Sequence, residues 1–181
     1  MQAEGRTALI LRPATHKHWR SLYLCAWIVF LLDSVTKGWA VSYLSTRDSI
    51  RILGSFLKLT FVRNSGAAFS FATGATLVFS FFAIGVIAII AYFAPRIAHR
   101  GWALLLGLLL GGILGNLSDR IFRSPGFLRG HVIDWIELPH WPIFNIADSA
   151  IVVAAGIAIV LSARNIAPIT QGDNRPDQPG V

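Results

Sequence analysis

Four aspartates occupy positions where an acid is costly. Asp148 lies near the start of "NIADSAIVVAAGIAIVL" (145–161), and Asp33 lies in the second half of "WRSLYLCAWIVFLLDSVTK" (19–37). Asp119 closes "GLLLGGILGNLSD" (107–119), and Asp134 sits between Ile133 and Trp135 in "HVIDWIEL" (131–138). A carboxylate at the centre of a membrane span costs on the order of 3 kcal/mol by insertion scales, and less near an end. Such groups are functional candidates by default. Paired acids suit general acid–base chemistry. Two carboxylates sharing a site do not both ionise easily, so one keeps a proton while the other takes one from water.

Structural roles compete with this reading for each acid. Asp33 and Lys37 are four residues apart, the spacing of an intrahelical pair. Asp119 adjoins Arg120 at a predicted helix end, where it could ion-pair or brace a site. Asp148 lies near a predicted helix N-terminus, where the dipole favours a carboxylate by roughly 0.3–1 kcal/mol. Asp134 falls in a predicted loop, where a surface acid is the default, yet its apolar neighbours suggest a segment held against the membrane. Asn116 and Asn145 each precede an aspartate by three residues, which keeps both side chains near one helix face. Spacing alone leaves Asp119 and Asp134 open as the partner of Asp148.

Other chemistries have less support. Ser65, Ser118 and Ser149 lack a G-x-S-x-G context, so a triad through His131 is a weak reading. A metal site from His131, His140 and two acids lacks any H-E-x-x-H spacing. "GLLLGGILG" lacks the G-K-[ST] ending of a phosphate loop and instead suits close helix packing. Asn116-Leu117-Ser118 matches a glycosylation acceptor only formally, because it falls in a helix end. Cys25 is the single cysteine, which excludes an intramolecular disulfide. It reads as a small buried hydrophobe.

The elements that must position these residues are membrane spans. Of 181 residues, 54% are hydrophobic and 14% charged, against about 25% charged in a typical soluble domain. Mean hydropathy is +0.59. The net charge of +7 is scattered at the edges of apolar runs. That suits anionic headgroups and excludes a nucleic-acid stripe. Spans are predicted at about Trp19–Leu44, Ala72–Ala94, Trp102–Ile121 and Phe144–Ala163. The first is not read as a signal peptide, since it continues through Asp33 and Lys37 without a convincing cleavage site. Residues 1–18 and 164–181 are polar tails, and 19–163 form one membrane domain. A tight turn, Pro95–Gly101, joins the middle spans. The long connections, about 45–71 and 122–143, share the side opposite the termini. "SIRILGSF" and "LKLTFVR" predict a β-hairpin or small sheet there, with Gly54-Ser55 at the turn. The fold class expected is an all-α membrane protein with four transmembrane helices and a small β-sheet segment on the extracytoplasmic surface.

Four spans place both termini on one side. Arg6, Arg12, Lys17, Arg20, Arg96, Arg100, Arg164 and Arg175 lie on the side of the termini. Arg47, Arg51, Lys58, Arg63, Arg120, Arg123 and Arg129 lie opposite. The counts nearly balance, and the basic head before the first span favours cytoplasmic termini. Asp33, Asp119, Asp134 and Asp148 then all fall on the extracytoplasmic side.

Assembled in this way, "DSVTK" (33–37), "RNSGAAF" (63–69), "GNLSDR" (115–120), "HVIDW" (131–135) and "FNIADS" (144–149) resemble the bacterial lipoprotein signal peptidase family, also called signal peptidase II. The five motifs stand in the family's order. The resemblance implies an inner-membrane aspartic endopeptidase that removes signal peptides from diacylglyceryl-modified prolipoproteins, cutting before the lipidated cysteine. It implies cytoplasmic termini and a site near the extracytoplasmic face. It also implies Asp134 and Asp148 as the catalytic pair, choosing Asp134 over Asp119. Asn64, Gly66, Asn116, Arg120 and Asn145 match substrate-binding or supporting positions. Asp33, Lys37 and Asp119 match positions read as structural. The expectation includes no cofactor or metal, prolipoprotein and membrane lipid as partners, no nucleic acid, and a monomer. One departure is the segment 121–130, "IFRSPGFLRG", longer than the family's usual spacing. The alternatives are a small proton-coupled transporter with Asp33 and Asp148 as carriers, and a non-catalytic scaffold whose acids tie helices together.

Overall fold

The structure is a computed structural model that describes residues 18–66 and 75–169. Most of both tails, Ala67–Phe69 of "RNSGAAF" and the predicted start of the second span at Ala72 lie outside the described residues. Four helices carry the chain: α1 (Trp19–Tyr43), α2 (Ala75–Phe93), α3 (Arg100–Phe122) and α4 (Ile146–Ala163). They hold 25, 19, 23 and 18 residues. At 1.5 Å per residue each approaches or exceeds the roughly 30 Å of a hydrocarbon core. All four are apolar enough to cross it.

Their outward faces confirm the solvent they are built for. Leu24, Ile28, Leu32 and Val35 of α1 are exposed, as are Phe81, Phe82 and Ile89 of α2 and Val152 and Ile159 of α4. Helices apolar on all sides bury their inner face on protein and their outer face in lipid. Aromatic side chains ring both ends, with Trp19, Tyr23, Tyr92 and Phe93 at one and Trp39, Tyr43 and Trp135 at the other. Arg96 lies 4.2 Å above the Tyr92 ring and Arg47 3.7 Å above that of Tyr43. These are interfacial belts.

Helix α3 is the spine, because glycine lets its neighbours approach. A Cβ added at Gly107 would meet Leu22 O of α1 at 2.7 Å, and one at Gly111 would meet Ala26 O at 2.6 Å. On the other side, a Cβ at Gly112 would meet Ala147 O of α4 at 2.6 Å. The run read as a packing motif thus serves two helices.

Three strands cap one end: β1 (Ile50–Leu53), β2 (Leu57–Asn64) and β3 (Val132–Glu137), in antiparallel order β1-β2-β3. Gly54, at φ +56°, turns β1 into β2 as expected. Pairing of β2 with β3 slips by one residue between Leu59↔Ile136 and Val62↔Asp134, a β-bulge. The sheet corrects one expectation: Asp134 lies in a strand, not a loop. Val132, Ile133 and Asp134 are all buried, so the segment lacks the alternation that marks a one-sided strand. Smaller corrections concern ends. The third helix runs from Arg100 to Phe122, beyond the predicted limits at both ends. Asn145 caps the fourth helix, while Phe144 bridges to Ile136.

One buried charge cluster ties these elements. Lys37, 1% exposed, has three oxygens within reach of its ammonium: Asp33 Oδ2 at 2.7 Å, Asn116 Oδ1 at 2.9 Å and Asp119 Oδ2 at 3.1 Å. Asp33 Oδ1 accepts the Ala147 N–H of α4 at 2.9 Å. Asp119 accepts the Ile133 N–H of β3 at 3.1 Å and also binds Arg123 Nε. The expected Asp33–Lys37 pair therefore exists, within a larger cluster.

Gly111→Leu should force α1 off α3 and cost at least about 1–3 kcal/mol. Gly156→Ala, where a Cβ meets nothing within 4 Å, should stay within about 0.5 kcal/mol of wild type. Thermal unfolding in detergent checks both. Lys37→Met should cost about 3–5 kcal/mol, because it leaves two buried carboxylates facing each other. Adding Asp33→Asn should recover part of that loss, and equal stability of the single and double variants would count against the cluster.

Candidate active site

Asp134 and Asp148 meet at one residue, Asn145, from different elements. Asp134 is carried by β3 and is 2% exposed. Asp148 is the third residue of α4 and half-buried. The start of α4 folds this way because Asn145 and Asp148 form a capping box. The Asn145 side chain accepts the Asp148 N–H at 2.9 Å, and Asp148 Oδ2 accepts the Asn145 N–H at 3.2 Å.

Asn145 also joins the two acids. Its Nδ2 donates to Asp134 Oδ1 at 2.6 Å, while its own Oδ1 is held by the Asp148 backbone. Asn64, from β2, donates to Asp134 Oδ2 at 2.8 Å. The Gly66 N–H donates to Asn64 Oδ1 at 2.8 Å, which fixes the orientation of that amide. Gly66 adopts φ +84°, a conformation that favours glycine. Asn116 donates to Asp148 Oδ1 at 2.7 Å and accepts from Lys37 and from Asn145 Nδ2, the latter at 3.2 Å. Each asparagine of the two N-x-x-D motifs therefore reaches an acid of another element. Within its own motif, Asn116 does not serve Asp119.

The two acids differ in environment. Burial pushes the Asp134 carboxyl up to about 6, and the nearby Asp148 charge adds to the effect. The Asn64 and Asn145 amides and Lys37 oppose the rise without cancelling it.

Below the acids, an apolar groove of about 400 Å³ opens between α2, α3 and α4. Phe79, Phe82, Val86, Ile113 and Ile151 line it, and Asn116 and Arg120 stand among its lining residues. Arg120 lies 6.0 Å from the Phe79 ring centroid, and its buried Nη1 has no partner among the described residues. An added Cβ on Gly66 would sit 3.7 Å from Arg120 Nη2, so the motif glycine borders the same space.

All the residues singled out from the sequence are thus placed. Asn64, Gly66, Asn116, Arg120 and Asn145 surround Asp134 and Asp148, and Asp33, Lys37 and Asp119 form the buried cluster behind them. Arg123 was missed. It binds Asp119 from four residues on, whereas the adjacent Arg120 turns to the groove. The i,i+4 spacing was the available signal. His131 lies on another cavity, beside Arg63.

Comparison with known proteins gives the family. The family model described as Signal peptidase (SPase) II matches residues 25–164. The lipoprotein signal peptidase of Leifsonia xyli subsp. xyli is 49% identical over 146 residues, covering 80% of this chain and 68% of the relative. That of Mycobacterium leprae (strain Br4923) is 48% identical over 143 residues, covering 79% and 71%. A bacterial membrane enzyme solved by the in meso method at 1.9 Å resolution shares the fold with a TM-score of 0.72 and 30% identity, covering 81% of this chain and 94% of that one. With four spanning helices, a capping sheet and a family match over most of its length, this chain belongs to the signal peptidase II family.

Proposed function

We propose that this protein is an aspartic endopeptidase that removes signal peptides from diacylglyceryl-modified prolipoproteins, cutting before the lipidated cysteine. The observation that carries the reading is the joining of Asp134 and Asp148 through one asparagine, beside an apolar groove. A water between the carboxylates loses a proton to the ionised member as it attacks the scissile carbonyl. The protonated member polarises that carbonyl and then supports protonation of the leaving amine. The proton belongs to the pair, and burial favours the protonated form of Asp134. Asn64, Asn116 and Asn145 hold the carboxylates in register. The groove takes apolar parts of the substrate, and Arg120 offers an unpaired donor to a carbonyl at its mouth.

In this reading the protein sits in the bacterial inner membrane as a monomer. The site lies near the extracytoplasmic face, the termini and both polar tails are cytoplasmic, and no nucleic acid is bound. A proton-coupled transporter finds no support. Asp33, one of its two carriers, is held by Lys37 and the Ala147 N–H, and the acids gather at one end of the bundle.

Asp134→Asn and Asp148→Asn should each lower cleavage of a lipid-modified precursor by roughly 10²–10⁴-fold or more, with elution profile and circular dichroism unchanged. Near-normal cleavage by either variant would remove that residue from the pair. Wild-type cleavage should persist with chelator present. The pH profile follows from Asp134. Its proton is half lost at about pH 6, so kcat/KM should fall as pH rises through that value. The corresponding limb of kcat should lie higher, because bound substrate excludes water and disfavours the charged form. A flat kcat/KM between pH 5 and 8 would contradict the assignment.

A further inference from the structure

A second cavity remains outside the proposed reaction. It measures about 270 Å³ and is lined by Arg63, Phe122, Arg123, Ser124, His131 and Ile133. Arg63 pairs with Ile133 across β2 and β3. Their sequence neighbours Asn64 and Asp134 take the opposite face, where Asn64 donates to Asp134. The cavity therefore lies on the reverse face of the two strands that carry the site.

Its chemistry is cationic. Two of the lining residues are arginines and none is an acid. Arg63 forms no salt bridge among the described residues, and no acid occurs in the segment 67–74 that follows it. Arg123 spends only its Nε on Asp119, leaving its terminal amino groups without a hydrogen bond among the described residues. The Ser124 hydroxyl and the His131 ring add further polar groups. Backbone bonds hold the walls in place. The His131 N–H donates to Ser124 O at 3.0 Å, and the Gly130 N–H donates to Arg120 O at 2.9 Å.

Its position is where α3 leaves the apolar layer. Phe122, the last residue of α3, is 85% exposed, and Phe127 in the same segment is 72% exposed. Apolar rings beside a polar, doubly cationic cavity at a helix end suit a ligand with an anionic head and an apolar body. Guanidinium forks match phosphate oxygens, and basic residues next to a membrane span attract anionic lipid. The cavity is smaller than a drug-sized site, as a head group requires.

We propose that this cavity binds the phosphate of an anionic phospholipid, with Arg63 and Arg123 on the phosphate and Phe122 against the acyl chains. The site is separate from the substrate groove, since a diacylglyceryl thioether carries no phosphate. A lipid held here braces β2 and β3 from behind, at the residues next to Asn64 and Asp134.

The test uses the full chain in neutral detergent, with native mass spectrometry reading retained lipid. Dioleoylphosphatidylglycerol should be retained about tenfold over dioleoylphosphatidylcholine. Arg63→Gln with Ser124→Ala should reduce that preference to parity, while thermal midpoint and precursor cleavage in phosphatidylcholine alone stay near wild type. Arg63→Gln alone, at an exposed side chain, gives the same readout should the double variant unfold. Equal retention of the two lipids by wild type, or an undiminished preference in the variants, would overturn the proposal. Displacement of the anionic lipid by millimolar inorganic phosphate, with no preference for lipid over free ion, would overturn the lipid source.

Discussion

The ammonium of Lys37 is the constraint on which the rest of the site depends. It has three donors and no acceptor, so every group around it must present an oxygen. Asn116 turns its carbonyl toward Lys37, and its amide nitrogen is thereby aimed at Asp148. A charge buried in α1 thus sets the direction of a hydrogen bond on α4. Asp33 and Asp119 share the same ammonium, and their remaining capacity holds backbone. Asp33 takes the N–H of Ala147, the residue before Asp148. Asp119 takes the N–H of Ile133, the residue before Asp134. Each acid of the proposed pair is therefore fixed one residue upstream by an acid of the cluster.

This arrangement places two acids of similar chemistry in different surroundings. Asp134 is enclosed by the sheet, and that burial holds its carboxyl up at about 6 against the two amides that favour its charged form. Asp148 stands in the first turn of α4, more open, with its own backbone locked in the capping box. Rigid placement suits a reaction in which a water must meet both carboxylates at once.

Much of this was legible in the sequence. The spans follow from composition, and Asp33–Lys37 from helical spacing. The first hairpin follows from alternation and Gly54. Other features were hidden for physical reasons. Strand β3 buries three consecutive residues including an acid, so neither period nor polarity marks it. Asp119 has a cation beside it in sequence, but successive helical residues point about 100° apart, and its partners are Arg123 and Lys37. Each motif asparagine stands three residues before an acid, yet Asn116 bonds Asp148 instead of Asp119, and Asn145 reaches Asp134 as well as its own Asp148. Spacing alone could not select Asp134 over Asp119; the motif resemblance did, and the geometry brings Asp134 to Asp148 while drawing Asp119 to Lys37.

The extra residue in β2 carries a consequence for parity. Across the bulge the register of β2 against β3 shifts by one, so that Asn64 lies opposite Val132 and shares a face with Asp134. Pairing β2 straight through in the register of Leu59↔Ile136, with no residue bulged, would give an unbroken ladder and a flatter, more regular strand. It would also rotate every later side chain by half a turn, exchanging Asn64 for the guanidinium of Arg63 beside the carboxyl. A sheet improved by ordinary folding criteria would then present a permanent cation where a neutral amide now stands.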